Sequence, residues 1–326
     1  LSQGAAMPVL ILRTLLGSFT ITLLTLNTVF WSLFLFPATF LKVILPFNPF
    51  RNWINRLLGV IAHSWIYCNN IGLRFTRKIE WEVSGVENLS TANWYLVIAN
   101  HQSWTDIVVL QKIFYKKIPF LKFFLKKELI WVPILGVAWW AFDFPFMKRF
   151  SKAFLEKNPH LAGKDIEITK KACHKFKHIP VSIMNFVEGT RLTPEKHARQ
   201  QSPYPNLLKP KSGGIGFVFS IMGEQLTSIL NVTIAYPGGP YSFWDFLCGR
   251  VKKVIVDVEE MPVTKDLIGD YINDPVHKEW LQKWMNDLWQ KKSEKLSLLL
   301  DETQGAAVLP GSRGTDRDAV GIRTIN

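Results

Sequence analysis

His101 and Asp106 stand five residues apart in NHQSWTD (100–106), just past the apolar run YLVIA. A carboxylate bonded to one ring nitrogen fixes the tautomer of an imidazole and raises the basicity of the other nitrogen, as general-base catalysis requires. The two side chains converge if His101 lies in the turn before a helix and Asp106 in its first turn. Taken alone the pair also fits plain structure, since Asp is common at helix starts. A second group, FVEGTR (186–191), closes another apolar run with Glu188, Gly189, Thr190 and Arg191. Glycine lets backbone approach a ligand closely, and the Arg191 fork suits a phosphate or carboxylate. A third run, FPFMKR, ends on Lys148 and Arg149. Three apolar runs ending in His with Asp, Glu with Arg, and Lys with Arg predict one cationic pocket beside a base. The sequence has no GxSxG elbow, and Ser103 is too near His101 in sequence to be read as its nucleophile.

The elements that must position these groups alternate. Strands are expected at RKIEWEVSG, NWYLVIAN, AFDFPFM, VSIMNFV, SILNVTIAY and VKKVIVDVE. Helices are expected at NRLLGVIAHSWIYCNNIGL, from Ser103 through WTDIVVLQKIF, and at LIWVPILGVAWW, GKDIEITKKACHKF, GGIGFVFSIMG and EWLQKWMNDLWQKKSEKLSLLL. The continuous apolar character of NWYLVIAN implies burial on both faces. The fold class is therefore α/β, with a mixed, largely parallel central sheet flanked by helices. In such folds function gathers at the carboxyl ends of strands, where Asn100, His101 and Glu188 to Arg191 fall.

The 326 residues are 48% hydrophobic and carry a net charge of +13, enough apolar mass for a sizeable core and a bias toward anionic partners. The segment from Thr14 to Pro37 has no charged residue and is long enough to cross a bilayer. It ends in bulky Phe34, Leu35 and Phe36 rather than the small residues of a cleavage site. Residues 38–58 mix aromatics with Lys42, Arg51 and Arg56, as an interfacial segment does. The chain thus divides into a membrane anchor and interfacial helices (1–70), a catalytic domain (71–302) and a small, polar, disordered tail (303–326). An anchor helix or helix pair, single-span or re-entrant, fits equally. The heavier basic flank places the domain on the cytoplasmic side. QGAA recurs at Gln3 to Ala6 and Gln304 to Ala307, an echo that suggests ends not native to the domain.

Weaker signals resolve to bland readings. Cys68, Cys173 and Cys248 are scattered and odd in number, which argues against a disulfide framework or a cysteine zinc site. His174 and His178 beside Cys173 have metal-ligand spacing, but Lys170, Lys171, Lys175 and Lys177 surround them and would repel a metal, so no metal is expected. YKKIPFLKFFLKK (115–127) interleaves lysines with aromatics and is read as an interfacial stretch facing an anionic membrane surface rather than nucleic acid, for which an anchor has no evident use. KSGGIGF matches neither phosphate-cradling glycine pattern. Trp280, Trp284 and Trp289 are expected to be packing residues.

The blocks taken together carry a resemblance. NHQSWTD is similar to the NHxxxxD block of the glycerolipid acyltransferases, the family that includes 1-acyl-sn-glycerol-3-phosphate acyltransferase. FVEGTR resembles its FPEGTR block, with Val187 where proline is usual. FPFMKR resembles the block between them, and NVTIAYPG (231–238) takes the place of the fourth, without its usual proline. Order and spacing agree over roughly Trp81 to Val258, closest to the bacterial inner-membrane branch. The resemblance implies an O-acyltransferase that moves a fatty acyl group from acyl-CoA or acyl carrier protein to the sn-2 hydroxyl of lysophosphatidic acid, giving phosphatidic acid. His101 would be the base and Asp106 its orienting partner, with no acyl-enzyme and no cofactor beyond the acyl donor. Asn100, Arg149, Glu188, Gly189, Thr190 and Arg191 would hold the acceptor, and the region around 115–127 would select the acyl chain. Another lysophospholipid acceptor is the near alternative. A non-enzymatic membrane lipid-binding protein is the alternative of a different class, which intact His101, Asp106, Glu188 and Arg191 oppose.

Overall fold

The two runs richest in buried apolar residues become the centre of the sheet. In the computed structural model, which describes residues 3–45, 47–144, 146–147, 179–306 and 323–324, β2 (Tyr95–Ala99) and β7 (Ser228–Ala235) bury every residue and pair in parallel. Side chains alternate across a strand, so β2 feeds two cores. Tyr95, Val97 and Ala99 pack with α3 (Thr105–Ile113) and α7 (Phe243–Leu247). Leu96 and Ile98 pack with α6 (Gly213–Met222) and the long α8 (Pro275–Ala306) on the opposite face.

Outward from β2, β6 (Ser182–Phe186) and the edge strand β3 (Leu121–Phe123) continue the parallel half. Beyond β7, β8 (Lys253–Pro262) is antiparallel to it, and β1 (Glu80–Ser84) is parallel to β8. The order is β3-β6-β2-β7-β8-β1, with the two residues of β9 (Arg323–Thr324) on β1. The mixed, largely parallel α/β sheet expected from the sequence is the one found. Reversal at β8 has a consequence for the site: β1 starts at the same end of the sheet where β2 and β6 stop.

Local expectations fail where lysine and proline interrupt the pattern. The stretch 115–127 is not wholly interfacial, because Leu121 to Phe123 add a strand to β6 and Ile118 and Leu121 are buried. Lys122 lies on this edge strand, where charge discourages further pairing. The helix expected over 129–140 is split near Pro133, which has no N–H to donate, into a 3-10 turn (Lys127–Trp131) and α4 (Leu135–Ala141). AFDFPFM is accordingly not a full strand: Ala141 ends α4, Asp143 takes a positive φ, and only β5 (Phe146–Met147) pairs, with β4 (Leu125–Lys126).

α1 (Gln3–Ile44) and α2 (Asn48–Thr76) form an antiparallel hairpin. Over Met7–Ile44 α1 is long and apolar enough to cross a membrane, and only 11% of its most apolar window is buried, unlike a core helix. Hydroxyls of Thr20, Thr28 and Thr39 return to carbonyls four residues back, which satisfies them in apolar surroundings. Asn27 reaches across to the Trp65 carbonyl and Asn69, at 3.0 and 2.8 Å. The hairpin lies along the domain: Gly17 sits under Cys248 and Trp244, while Leu35 and Ala38 pack with Ala141, and Lys42 bonds Asp143 at 2.8 Å. α2 continues through the expected 70/71 boundary, and α8 through 302/303.

Candidate active site

The chain between β2 and α3 is too short to wander, and one carboxylate organises it. Asp106, in the first turn of α3, is 1% exposed and accepts four hydrogen bonds. Its Oδ2 takes the His101 Nδ1–H at 2.8 Å and the backbone N–H groups of Gln102 and Ser103 at 2.7 and 2.9 Å. Its Oδ1 takes the Tyr236 hydroxyl at 2.7 Å. The convergence expected of His101 and Asp106 is present. A carboxylate at Nδ1 requires the proton there, which leaves the Nε2 lone pair for a substrate. No described residue bonds Nε2, and the ring is 12% exposed, so access remains.

Tyr236 follows β7 directly and is fully buried. Burial and the neighbouring Asp106 carboxylate push its hydroxyl well above the usual tyrosine range, so it remains a donor. Ser103 is buried and bonds Thr105, not His101. The imidazole also stacks on Phe186 at 3.9 Å between centroids. Phe186 continues to Phe123, and Phe123 to Phe144, at 6.2 and 6.4 Å.

The 188–191 turn is fastened directly to this base. Leu192 N–H donates to the His101 carbonyl at 2.8 Å. Glu188 Oε1 accepts from His101 N–H at 2.9 Å, and Oε2 from Leu208 N–H at 3.0 Å. Glu188 is thus a clamp between three loops, its carboxylate occupied by backbone. Asn100 is likewise fully buried and spends its amide on both polar groups of Ile234 at 2.9 Å. Both residues shape the site from beneath.

Gly189, at φ +70°, and Thr190 form the outer side of the turn. The Lys211 amine lies over Gly189, and Lys196, in α5 (Pro194–Gln200), bonds Thr190 Oγ1 at 2.7 Å. Arg191 is exposed over the Trp104 ring at 5.2 Å. Three cations therefore border the turn beside His101, a field suited to an anionic group. Arg149 and Lys148 lie outside the described residues, as do Cys173, His174, His178 and the helix expected at 163–176. Among the described residues no group of His, Cys, Asp or Glu is arranged to hold a metal ion.

Sequence reasoning passed over Tyr236, Lys196, Lys211 and Phe186. Only Tyr236 left a signal, a hydroxyl at the very end of the expected strand SILNVTIAY. Trp289 is fully buried as expected, its N–H on the Leu208 carbonyl at 3.0 Å, whereas Trp280 is 40% exposed. Under β7 the buried Lys292 amine donates to the Val232 carbonyl, and burial lowers it to about 7.

Burial raises Glu188 from 4.5 to about 8, against the opposing pull of its two N–H donors and of Lys292. A carboxyl whose folded value is raised stabilises the fold fully below about pH 4.5, and that contribution is lost as pH rises through about 8. At about 1.4 kcal/mol per unit this amounts to a few kcal/mol. Glu188→Gln removes that slope and leaves one backbone N–H without an acceptor, costing about 1–3 kcal/mol. Thermal unfolding of both proteins across pH 4 to 9 checks it; parallel curves would contradict the assignment.

Known proteins resemble the chain over the stretch that holds these residues. The family model described as Acyltransferase matches residues 80–222, which hold His101, Asp106 and the 188–191 turn. A Saccharomyces cerevisiae protein named 2-acyl-1-lysophosphatidylinositol acyltransferase is 27% identical over 60% of this chain and 59% of its own length. The chain thus spans less than two thirds of that relative. Another protein of that yeast, described only as an uncharacterized acyltransferase, is 21% identical over 87% of this chain and 80% of its own. The crystal structure of the 1-acyl-sn-glycerophosphate acyltransferase PlsC from Thermotoga maritima superposes with a TM-score of 0.49 at 20% identity, covering 89% of this chain and 98% of that one. The family model thus spans the base, its carboxylate and the cationic turn, and over that stretch the chain is similar to acyltransferases.

Proposed function

We propose that this protein transfers a fatty acyl group from acyl-CoA or acyl carrier protein to the sn-2 hydroxyl of lysophosphatidic acid, giving phosphatidic acid. The observation that carries the reading is the juxtaposition of a carboxylate-held imidazole with a cationic turn bonded to its own backbone. His101 Nε2 takes the hydroxyl proton as the oxygen attacks the thioester carbonyl. The tetrahedral intermediate collapses with loss of the thiolate, which recovers the proton from the imidazolium. Asp106 stabilises that imidazolium, and no covalent acyl-enzyme forms. Arg191, Lys196 and Lys211 face the acceptor phosphate, a role in which Arg149 joins them by sequence.

The aromatic file Phe186, Phe123, Phe144 leads from the base toward α4 and the α1–α2 hairpin, a path suited to the acyl chain. The hairpin's exposed apolar face enters the bilayer and brings the base to lipid that never leaves the membrane. By its basic flanks the domain lies on the cytoplasmic side, which for a bacterial chain means the inner membrane. A lysophospholipid with a larger headgroup is the second acceptor reading, supported by the name of the 27% identical relative and by the open side of the turn.

Arg191→Ala separates acceptor from donor. The expected result is a KM for lysophosphatidic acid raised at least tenfold, from loss of one charge-assisted contact, with the KM for the acyl donor little changed. Measured with membranes, labelled oleoyl-CoA and a panel of lysolipids, the reverse pattern would move Arg191 to the donor side.

A further inference from the structure

Away from the His101 site, a cavity of about 510 Å³ opens between the end of α2, the start of β1 and the outer side of α3. Because β1 runs against β2, this cavity lies at the same end of the sheet as the base. Its walls carry four cations, Arg74, Arg77, Lys78 and Lys112, and one carboxylate, Glu80, which is itself paired with Lys253 at 3.3 Å. Arg77 is part of the wall: it is buried, donates to the carbonyls of Phe246 and Leu247, and lies 4.6 Å over the Phe246 ring. The other three are free of carboxylate partners among the described residues. Lys112 is the most telling. It is half-buried, its amine rests 4.8 Å over the Trp81 ring, and another cation, Arg74, repels it. Burial and that repulsion lower its proton affinity, the reverse of what a lysine at rest in an ion pair experiences. A cation held in such a place gains most when an anion arrives.

We infer that this cavity is a second anionic site, in which Arg74, Lys78 and Lys112 bind a phosphate ester. Trp81 and Phe246 supply an apolar floor for whatever carries the phosphate. Two sources present that chemistry: the headgroup of an anionic bilayer lipid and the nucleotide of a soluble acyl donor. The membrane source has a physical attraction, since Phe75, beside Arg74, is 84% exposed and extends the apolar face of the hairpin. None of these residues belongs to the His101 site, so the inference stands or falls apart from the acceptor reading.

The test uses the full chain and two probes. One, presented after detergent removal, is a phosphatidylcholine vesicle with or without phosphatidylglycerol; the other, titrated in neutral detergent, is desulfo-CoA, which carries the nucleotide phosphates but no thiol. The Arg74→Gln, Lys112→Gln double variant is expected to bind one or both probes at least tenfold more weakly than the parent, and the conservative Lys112→Arg variant to retain the parent's binding. Loss confined to vesicles containing phosphatidylglycerol identifies the lipid, and loss confined to desulfo-CoA identifies the donor. Arg74→Glu, at an exposed position, repeats the test should the double variant fold poorly. Parent-like affinity of the variants for both probes would overturn the site.

Discussion

An Asp106→Asn protein is expected to turn over at about a hundredth to a thousandth of the parent rate, the range attached to a disabled general base, with its fold and its recovery with membranes unchanged. The hydrogen bonds say why the geometry survives and the chemistry does not. Two backbone N–H groups and the His101 Nδ1–H all point at Oδ2. An asparagine must therefore put its carbonyl oxygen there, and its NH₂ falls at the Oδ1 position, against Tyr236. The Tyr236 hydroxyl can rotate from donor to acceptor, so the imidazole keeps its tautomer. What disappears is the negative charge that offsets the imidazolium in the transition state. An unchanged circular-dichroism spectrum and unchanged recovery with membranes, beside the lowered kcat, separate this account from simple misfolding. An Asp106→Asn enzyme with the parent's kcat would leave Asp106 a helix-start cap and nothing more.

Much of this site was legible because its signals are local. A run of five buried apolar residues ends where a histidine and a carboxylate follow within a few residues, and the FVEGTR turn repeats the pattern on the neighbouring strand. What was not legible depends on partners distant in sequence. The resemblance assigns Glu188 and Asn100 to the acceptor. What it could not show is that their side chains bond backbone 87 and 134 residues away in sequence. Tyr236 meets Asp106 across 130 residues, and nothing in IAYPG announces that. The reversal at β8 is invisible for the same reason: a buried strand has the same apolar pattern in either direction. Around 115–147, lysines and prolines mask a short edge strand, a 3-10 turn and a short helix, each too brief to establish a period of its own.

On the proposed reading, the cationic turn and the clamp divide the labour of substrate binding. Glu188 holds the loops at a fixed separation, and Arg191, Lys196 and Lys211 present charge from the rim. Substitutions on the rim are therefore expected in KM, and substitutions at the clamp in stability and kcat together.

The central claim is that His101 Nε2 removes the acceptor's proton in a direct transfer. Replacing the ring with a methyl group deletes the base while leaving Asp106 its two backbone donors and Tyr236, so the loop keeps most of its anchors. The decisive measurement gives membranes containing equal amounts of parent or His101→Ala protein labelled oleoyl-CoA and lysophosphatidic acid, and follows labelled phosphatidic acid. A loss of about a thousandfold or more in kcat is expected, with no label trapped on either protein in acid-quenched samples. Product from His101→Ala at the parent's rate, or acyl label carried covalently by the parent, would contradict the mechanism.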